Sequence, residues 1–111
     1  MAKFRFPKGS KPAVKCTFTD PETTTPPVDE FTGKTLVDPG TVTAEVKPPT
    51  GTNTTYTYGT SAELTRDSQG RFRLVFDLAL AGAYHVKWTG IAGSRKAVEY
   101  TTIDSFVEAG L

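Results

Sequence analysis

Residues 70–90 read GRFRLVFDLALAGAYHVKWTG, and this stretch indicates the fold class more clearly than any other part of the chain. Apolar side chains alternate with polar ones on both sides of an Ala/Gly-rich corner, at Phe72, Leu74, Phe76 and Leu78 and again at Tyr84, Val86 and Trp88. A two-residue period is what a strand with one buried face requires. The stretch therefore predicts two strands of an antiparallel β-sandwich.

Five further segments have strand character and are separated by turn residues. They are residues 13–19, 41–47, 52–58, 61–66 and 95–106. We therefore predict an all-β fold, an antiparallel sandwich of about seven strands over residues 13–107. In the last strand we expect Val98 and Tyr100 to face the core and Glu99 and Thr101 to face solvent, because the two pairs alternate along the chain.

Length, charge and cysteine content exclude several classes of protein. The chain has 111 residues, a formal net charge of +1 and one cysteine, Cys16. This length suffices for a single domain with its own core. The near-neutral charge gives no basis for a nucleic-acid partner, and a lone cysteine forms no intrachain disulfide. No signal-peptide pattern and no stretch of roughly 18 apolar residues is found, so we expect no membrane partner either.

The first 12 residues predict an extended N-terminal arm that precedes the domain at residues 13–107. Phe4, Arg5 and Phe6 lie in this arm, and the proline and glycine residues that follow them interrupt regular structure. Aromatic side chains on an arm are expected to be covered. The covering surface is either this domain or a neighbouring molecule, and the sequence leaves both alternatives open.

A second irregular segment spans residues 20–40. A loop of this length inside a compact domain is usually functional or disordered. Its apolar side chains predict that it lies against the sandwich or grips a partner. The predicted partner-binding residues of the arm and the loop are Phe4, Arg5, Phe6, Phe31, Leu36 and Val37.

The sequence contains no recognisable catalytic or metal-binding constellation. His85 is the only histidine, and its strand alternation places it on an outer face, away from the Cys16 thiol. No serine lies in a Gly-x-Ser-x-Gly setting, and a second histidine for a metal site is missing. We therefore predict no catalytic residues, no metal ligands and no cofactor, and a binding protein rather than an enzyme.

Tyr56 and Tyr58 support an alternative binding function. They lie on one side of a Thr-rich strand, and aromatic rings can stack on the apolar faces of sugars. The alternative prediction is a carbohydrate-binding module that uses these two tyrosines as a platform.

Three motifs carry a resemblance to a known family. They are VDPGTVTAEVKPPTG at residues 37–51, DSQGRFRLVFDL at 67–78 and GAYHVKWTG at 82–90. Together they resemble the small Ig-like or fibronectin-III-like structural proteins of tailed bacteriophages. The resemblance implies an Ig-like sandwich and no catalytic residues.

The same resemblance implies a place in a virion assembled in the bacterial host cytoplasm. The expected partners are the major capsid protein or other structural subunits, with homo-oligomer contacts inside the assembly as a further expectation. Capsid decoration or cementing is the first functional expectation, and a connector or tail component is the second.

Overall fold

The computed structural model describes residues 3–107, with side chains from Arg5 onward, and contains strands and turns but no helix in that range. Ten strands follow one another along the chain. They are β1 (Lys3–Pro7), β2 (Ala13–Thr17), β3 (Thr19–Asp20), β4 (Thr35–Leu36), β5 (Thr41–Lys47), β6 (Thr54–Thr57), β7 (Leu64–Ser68), β8 (Arg71–Val75), β9 (Gly82–Ala92) and β10 (Arg95–Phe106).

The strands form a large, a small and a very short sheet. The large sheet has the order β1-β10-β9-β5-β6, the small sheet β2-β8-β7, and β3 pairs with β4. All neighbours are antiparallel except β1 and β10, which run parallel. The fold is therefore all-β with a mixed large sheet, consistent with a β-sandwich, and the prediction of purely antiparallel pairing is corrected at β1.

The core lies between the inner faces of the large and small sheets. Trp88 of β9 is fully buried, and the other members of the core cluster are Val14, Cys16, Phe18, Val42, Ala44, Val46, Leu64, Phe72, Leu74, Phe76, Leu78, Tyr84, Val86 and Ile103. Every apolar position of residues 70–90 on which the prediction rested belongs to this cluster. The seven strands predicted from alternation are all present, and β1, β3 and β4 are additional.

The predicted orientation of β10 is wrong. Val98 and Tyr100 are exposed, whereas Ile103 is fully buried. The register explains the reversal, because Ile103 lies opposite the buried Tyr84, and Tyr100 lies opposite Lys87 on the outer face. Residues directly opposite in a ladder share a face, so the odd-numbered positions of β10 face inward.

The predicted arm lies along the edge of the large sheet over its described part. Lys3–Pro7 pairs with residues 102–106 of β10. The next residues are bonded as well, since Gly9 N–H donates to the Leu78 carbonyl at 2.8 Å and Leu78 N–H donates to that of Ser10 at 3.0 Å. Of the two docking alternatives, the structure shows residues 3–7 on this domain's own surface.

A tyrosine fixes the corner between β8 and β9. The Tyr84 hydroxyl, near the start of β9, accepts a hydrogen bond from Leu80 N–H at 2.9 Å. The Tyr84 ring packs against Phe76 with centroids 5.8 Å apart. One side chain thus ties the connecting segment to the core.

Candidate functional site

The predicted partner-binding residues of the arm occupy different environments. Arg5 is exposed, and its guanidinium carbon lies 5.2 Å from the centre of the Phe106 ring. Phe6 is half-buried and packs against the core. The side chain of Phe4 lies outside the described residues. Phe6 therefore contributes to the packing of its own domain.

The three predicted partner-binding residues of the loop also differ in their exposure. Leu36 is buried at 5% exposure, Val37 is half-buried, and Phe31 is 89% exposed. Phe31 is the most exposed large apolar side chain among the described residues. The six residues therefore do not form one continuous surface, and their role in partner binding stays a prediction.

The long loop is held against the sandwich at its C-terminal end by Asp38. Oδ1 of Asp38 accepts from Gly70 N–H at 2.7 Å and from Arg66 Nε at 3.2 Å, and Oδ2 accepts from Arg66 Nη2 at 2.9 Å. The Arg66 hydrogen bonds and the Gly70 amide lower the pKa of Asp38. The loop is thereby anchored to the turn between β7 and β8.

Two further arginines hold the loop. Arg71 forms ion pairs with Asp29 and Glu30, the two residues that immediately precede Phe31. The pKa of Glu30 is lowered by a hydrogen bond from its own backbone N–H and then by Arg71. These pairs hold the part of the loop just before the exposed Phe31 against the start of β8.

Arg95, at the start of β10, holds the N-terminal end of the loop. It donates to Asp20 Oδ1 at 3.1 Å and to Glu22 Oε2 at 3.3 Å. The pKa of Asp20 is lowered by the Glu22 amide first and by Arg95 second. The loop and the β9–β10 hairpin thus form one end of the molecule.

The hairpin carries an exposed apolar surface, which we call the outer strip and which consists of Ile91, Val98 and Tyr100. Their exposed fractions are 40%, 42% and 59%. Val98 lies opposite Thr89 in the β9–β10 ladder, and Ile91 is two residues further along β9, so the two are diagonal neighbours on the outer face. Lys87 and Lys96, opposite Tyr100 and Ile91, border the strip.

A groove of about 410 Å³ lies on the inner side of the same hairpin. Phe18, Val37 and Pro39 line it from the loop side, and Ala92 and Ala97 line it from the hairpin. Val37 is thus the one predicted binding residue that lines a groove beside the hairpin.

Gly90 explains how closely the loop approaches the hairpin. A Cβ atom on Gly90 would lie 2.6 Å from Phe18 Cε1 and 2.9 Å from Pro39 Cγ. A larger residue at this position would therefore displace Phe18 or Pro39, which both line the groove.

The two candidate sugar-stacking tyrosines do not form one platform. Tyr56 is half-buried and lines a cleft of about 450 Å³ together with Lys11, Glu63 and Asp77. Burial, and then Glu63 and Asp77, raise the pKa of Tyr56. Tyr58 lines a separate, more open groove formed with residues 59–62 and 64–66.

Tyr58 also packs on the core. Its ring meets the Phe72 ring edge-on, with centroids 5.2 Å apart. Although 45% of Tyr58 is exposed, the Phe72 contact fixes the direction of its ring. Tyr56 is therefore the tyrosine that retains a cleft with polar neighbours.

Cys16 lies in the small sheet and points into the core, whereas His85 lies on the outer face of the large sheet. Cys16 is buried, and its thiol donates to Glu99 Oε2 at 3.5 Å. Burial, and then the Glu99 carboxylate, raise the pKa of this thiol, which disfavours the reactive thiolate. His85 is exposed, with Nδ1 3.3 Å from Thr102 Oγ1.

Neither a metal-ligand cluster nor a membrane-spanning helix is found in the described part of the chain. No three His, Cys, Asp or Glu side chains in residues 3–107 are grouped so that they could hold a metal ion. The same range contains no helix of the length and hydrophobicity that crossing a bilayer requires.

Comparisons with known proteins found no relative of this chain. No protein-family model matches the chain, and neither the curated proteins nor the solved structures compared with it contain a match.

Proposed function

We propose that this protein is a non-catalytic structural or accessory protein of a bacteriophage virion, with an Ig-like sandwich as its rigid body. Its first assignment is capsid decoration or cementing, and its second is a connector or tail component. It acts by binding the major capsid protein or another structural subunit after synthesis in the host cytoplasm. The resemblance carried by the motifs of residues 37–90 supports the virion assignment, and the strand order supports the Ig-like body.

Strand order supports the Ig-like part of the proposal. Ig-type sandwiches pair a sheet containing strands C, F and G with a sheet containing B, E and D. Counted along the chain, β10-β9-β5 corresponds to G-F-C, with β6 in the C′ position, and β2-β8-β7 corresponds to B-E-D. Such domains also use a tyrosine near the start of strand F to bond the preceding corner, as Tyr84 does with Leu80.

The observation that carries the binding function is the outer strip. Three large apolar side chains are exposed side by side on the outer face of a regular ladder. Clustered exposed apolar surface on a soluble protein marks an interaction site, whereas isolated exposed residues do not. The strip lies at the same end of the molecule as the loop that presents Phe31.

The test uses purified particles assembled without this protein, mixed with it and sedimented. The wild-type chain is expected to bind to saturation at a fixed number of copies per particle. The double variant Val98→Ser/Tyr100→Ser is expected to lose at least tenfold in affinity. Val107→Ser is the matched control, because Val107 is 70% exposed just beyond the other end of β10.

Two results would count against the proposal. Wild-type protein that fails to bind any such particle overturns the virion assignment. A folded double variant that binds as tightly as Val107→Ser removes the outer strip from the interface and leaves Phe31 as the next residue to substitute.

A carbohydrate-binding module is the second candidate, and the Tyr56 cleft favours it. The cleft combines an aromatic ring with the carboxylates of Glu63 and Asp77 and the ammonium of Lys11, a mixture that suits polyhydroxylated ligands. Glycan-array binding that Glu63→Gln and Tyr56→Ala both abolish would establish it. An array on which the wild-type chain binds nothing removes this candidate.

A further inference from the structure

The sandwich is open along one side, where β1 and β10 of the large sheet face β2 of the small sheet. A cleft of about 310 Å³, which we call the side cleft, lies there. It is lined mainly by apolar side chains and stem atoms, from Phe6, Ala13, Val14, Lys15, Thr101 and Ile103. The side cleft is separate from the outer strip and from the Tyr56 cleft.

The backbone of β2 is unpaired on this side. β2 is the edge strand of its sheet and bonds only to β8. Phe18 N–H donates to the Gly70 carbonyl and continues this ladder, while Val75 N–H of β8 points the other way, to Glu63. Peptide groups alternate in direction along an antiparallel strand. The N–H and C=O groups of Lys15 and Thr17 therefore point away from β8, to the open side.

The charged side chains around β2 indicate which kind of segment could bind at this edge. Lys15 lies directly opposite Arg73, whose guanidinium is neutralised by Asp67 at 3.0 Å. Lys15 has no ion-pair partner within residues 3–107, so the outer side of the edge carries an uncompensated positive charge. On the inner side, the carboxylate of Glu99, which accepts a hydrogen bond from the buried Cys16 thiol of β2, disfavours a second carboxylate.

We propose that β2 is a docking edge for an extended protein segment that alternates apolar and acidic residues. The segment adds as a fourth strand to the small sheet and bonds to the free peptide groups of Lys15 and Thr17. Its apolar side chains enter the side cleft, and its acidic side chains lie beside Lys15. Strand addition of this kind takes affinity from backbone hydrogen bonds and specificity from alternate side chains.

The occupant is a hetero-partner segment rather than a second β2 edge. Two antiparallel β2 edges would bring two copies of the unpaired Lys15 close together, and like charges on neighbouring strands repel. Lysine on an edge strand commonly prevents such self-pairing. The same side chain that discourages dimers therefore selects an acidic strand.

The test measures binding of two synthetic peptides to the full chain. They are acetyl-TVEVEVT-amide and the charge-reversed acetyl-TVKVKVT-amide, with an N-methylated copy of the first as a backbone control. We expect submillimolar binding of the acidic peptide and at least tenfold weaker binding of the other two. Amide hydrogen exchange at Lys15 and Thr17 should slow at least tenfold at saturation.

A charge swap separates recognition from general stickiness. Lys15→Glu should weaken binding of the acidic peptide about fivefold, the size expected from one exposed ion pair, and should strengthen binding of the basic peptide. Lys47→Glu is the matched control, because Lys47 is an exposed strand lysine on the large sheet. Val98→Ser should bind the acidic peptide like wild type, so this outcome is independent of the outer strip.

Three results would overturn the proposal. The first is protection at the edges of β6 or β7 instead of at Lys15 and Thr17. The second is equal binding of both peptides by wild type and Lys15→Glu. The third is slow exchange at Lys15 that depends on protein concentration without peptide, which would assign the edge to a second copy of the chain.

Discussion

Asp38 and Arg66 form a two-point ion pair across 28 residues of sequence, with hydrogen bonds of 3.2 and 2.9 Å. Asp38 also accepts from the amide of Gly70, a buried residue, at 2.7 Å. The loop and the β7–β8 turn are therefore joined by one carboxylate. Removing the carboxylate breaks both contacts, whereas removing the Arg66 side chain breaks only the ion pair.

We expect Asp38→Ala to lower the free energy of unfolding by about 1–2 kcal/mol, because it leaves the amide of Gly70 without an acceptor. Arg66→Ala breaks the exposed ion pair but keeps the Gly70 hydrogen bond, so its effect should be clearly smaller. Urea denaturation of both variants measures the difference. Equal losses would mean that the ion pair, rather than the amide hydrogen bond, holds the loop.

We expect the stability of the protein to fall at acidic pH, because the carboxylates that hold the loop become protonated there. The pKa values of Asp20, Glu30 and Asp38 are all lowered in the folded chain. A carboxyl with a lowered pKa stabilises the fold above its unfolded pKa, near 4, and loses this contribution as pH falls through its folded pKa. Urea midpoints measured from pH 7 down to pH 2.5 should therefore decline below about pH 5.

The Asp38→Ala variant provides the control for this pH dependence. It lacks one of the three carboxyls, so its stability should fall less steeply with acid than that of the wild-type chain. Parallel curves for the two proteins would contradict a contribution from Asp38.

Gly90→Ala should destabilise the protein by about 1–3 kcal/mol, since the added methyl group overlaps the Phe18 ring and Pro39 in a packed region. Gly40→Ala is the matched control, because the nearest atom to its Cβ position, the Ile91 carbonyl oxygen, is 3.7 Å away. Neither glycine has a positive φ, so backbone strain does not differ between the two sites. Thermal melts of the pair should show a clear loss only for Gly90→Ala.

Tyr84→Phe should cost about 1 kcal/mol, because it removes the acceptor of the Leu80 amide and keeps the ring contact with Phe76. Tyr100→Phe removes the same hydroxyl from an exposed ring and should leave stability unchanged. Urea unfolding followed by Trp88 fluorescence compares the two. A Tyr84→Phe protein as stable as Tyr100→Phe would show that the corner does not need this bond.

Side-chain alternation predicted the strands well where both sheets cover the core. Residues 70–90 have a buried face that coincides with their apolar positions, so the pattern and the packing agree. In β10 they disagree, because the side chains of residues 95–100 are exposed on the inner face of the strand as well as on its outer face. Val98 and Tyr100 are apolar for a reason other than core burial, and periodicity has no means of separating the two reasons.

The binding residues were less predictable because long-range contacts decide their exposure. Leu36 is buried through a loop fold that pairs β3 with β4 and bonds Val37 N–H to the Phe18 carbonyl. The pairing of Lys3–Pro7 joins segments almost 100 residues apart. Nothing in the local sequence of either segment encodes these partners.

The buried thiol of Cys16 makes the chain convenient for site-specific labelling. It is the single cysteine of the sequence, is 3% exposed and has a raised pKa, so maleimide reagents should leave the native protein unmodified. A fluorophore attached through a cysteine introduced on the surface would therefore occupy one known position. Conversely, the rate at which Cys16 of the unaltered protein is alkylated would measure how often β2 detaches from the structure.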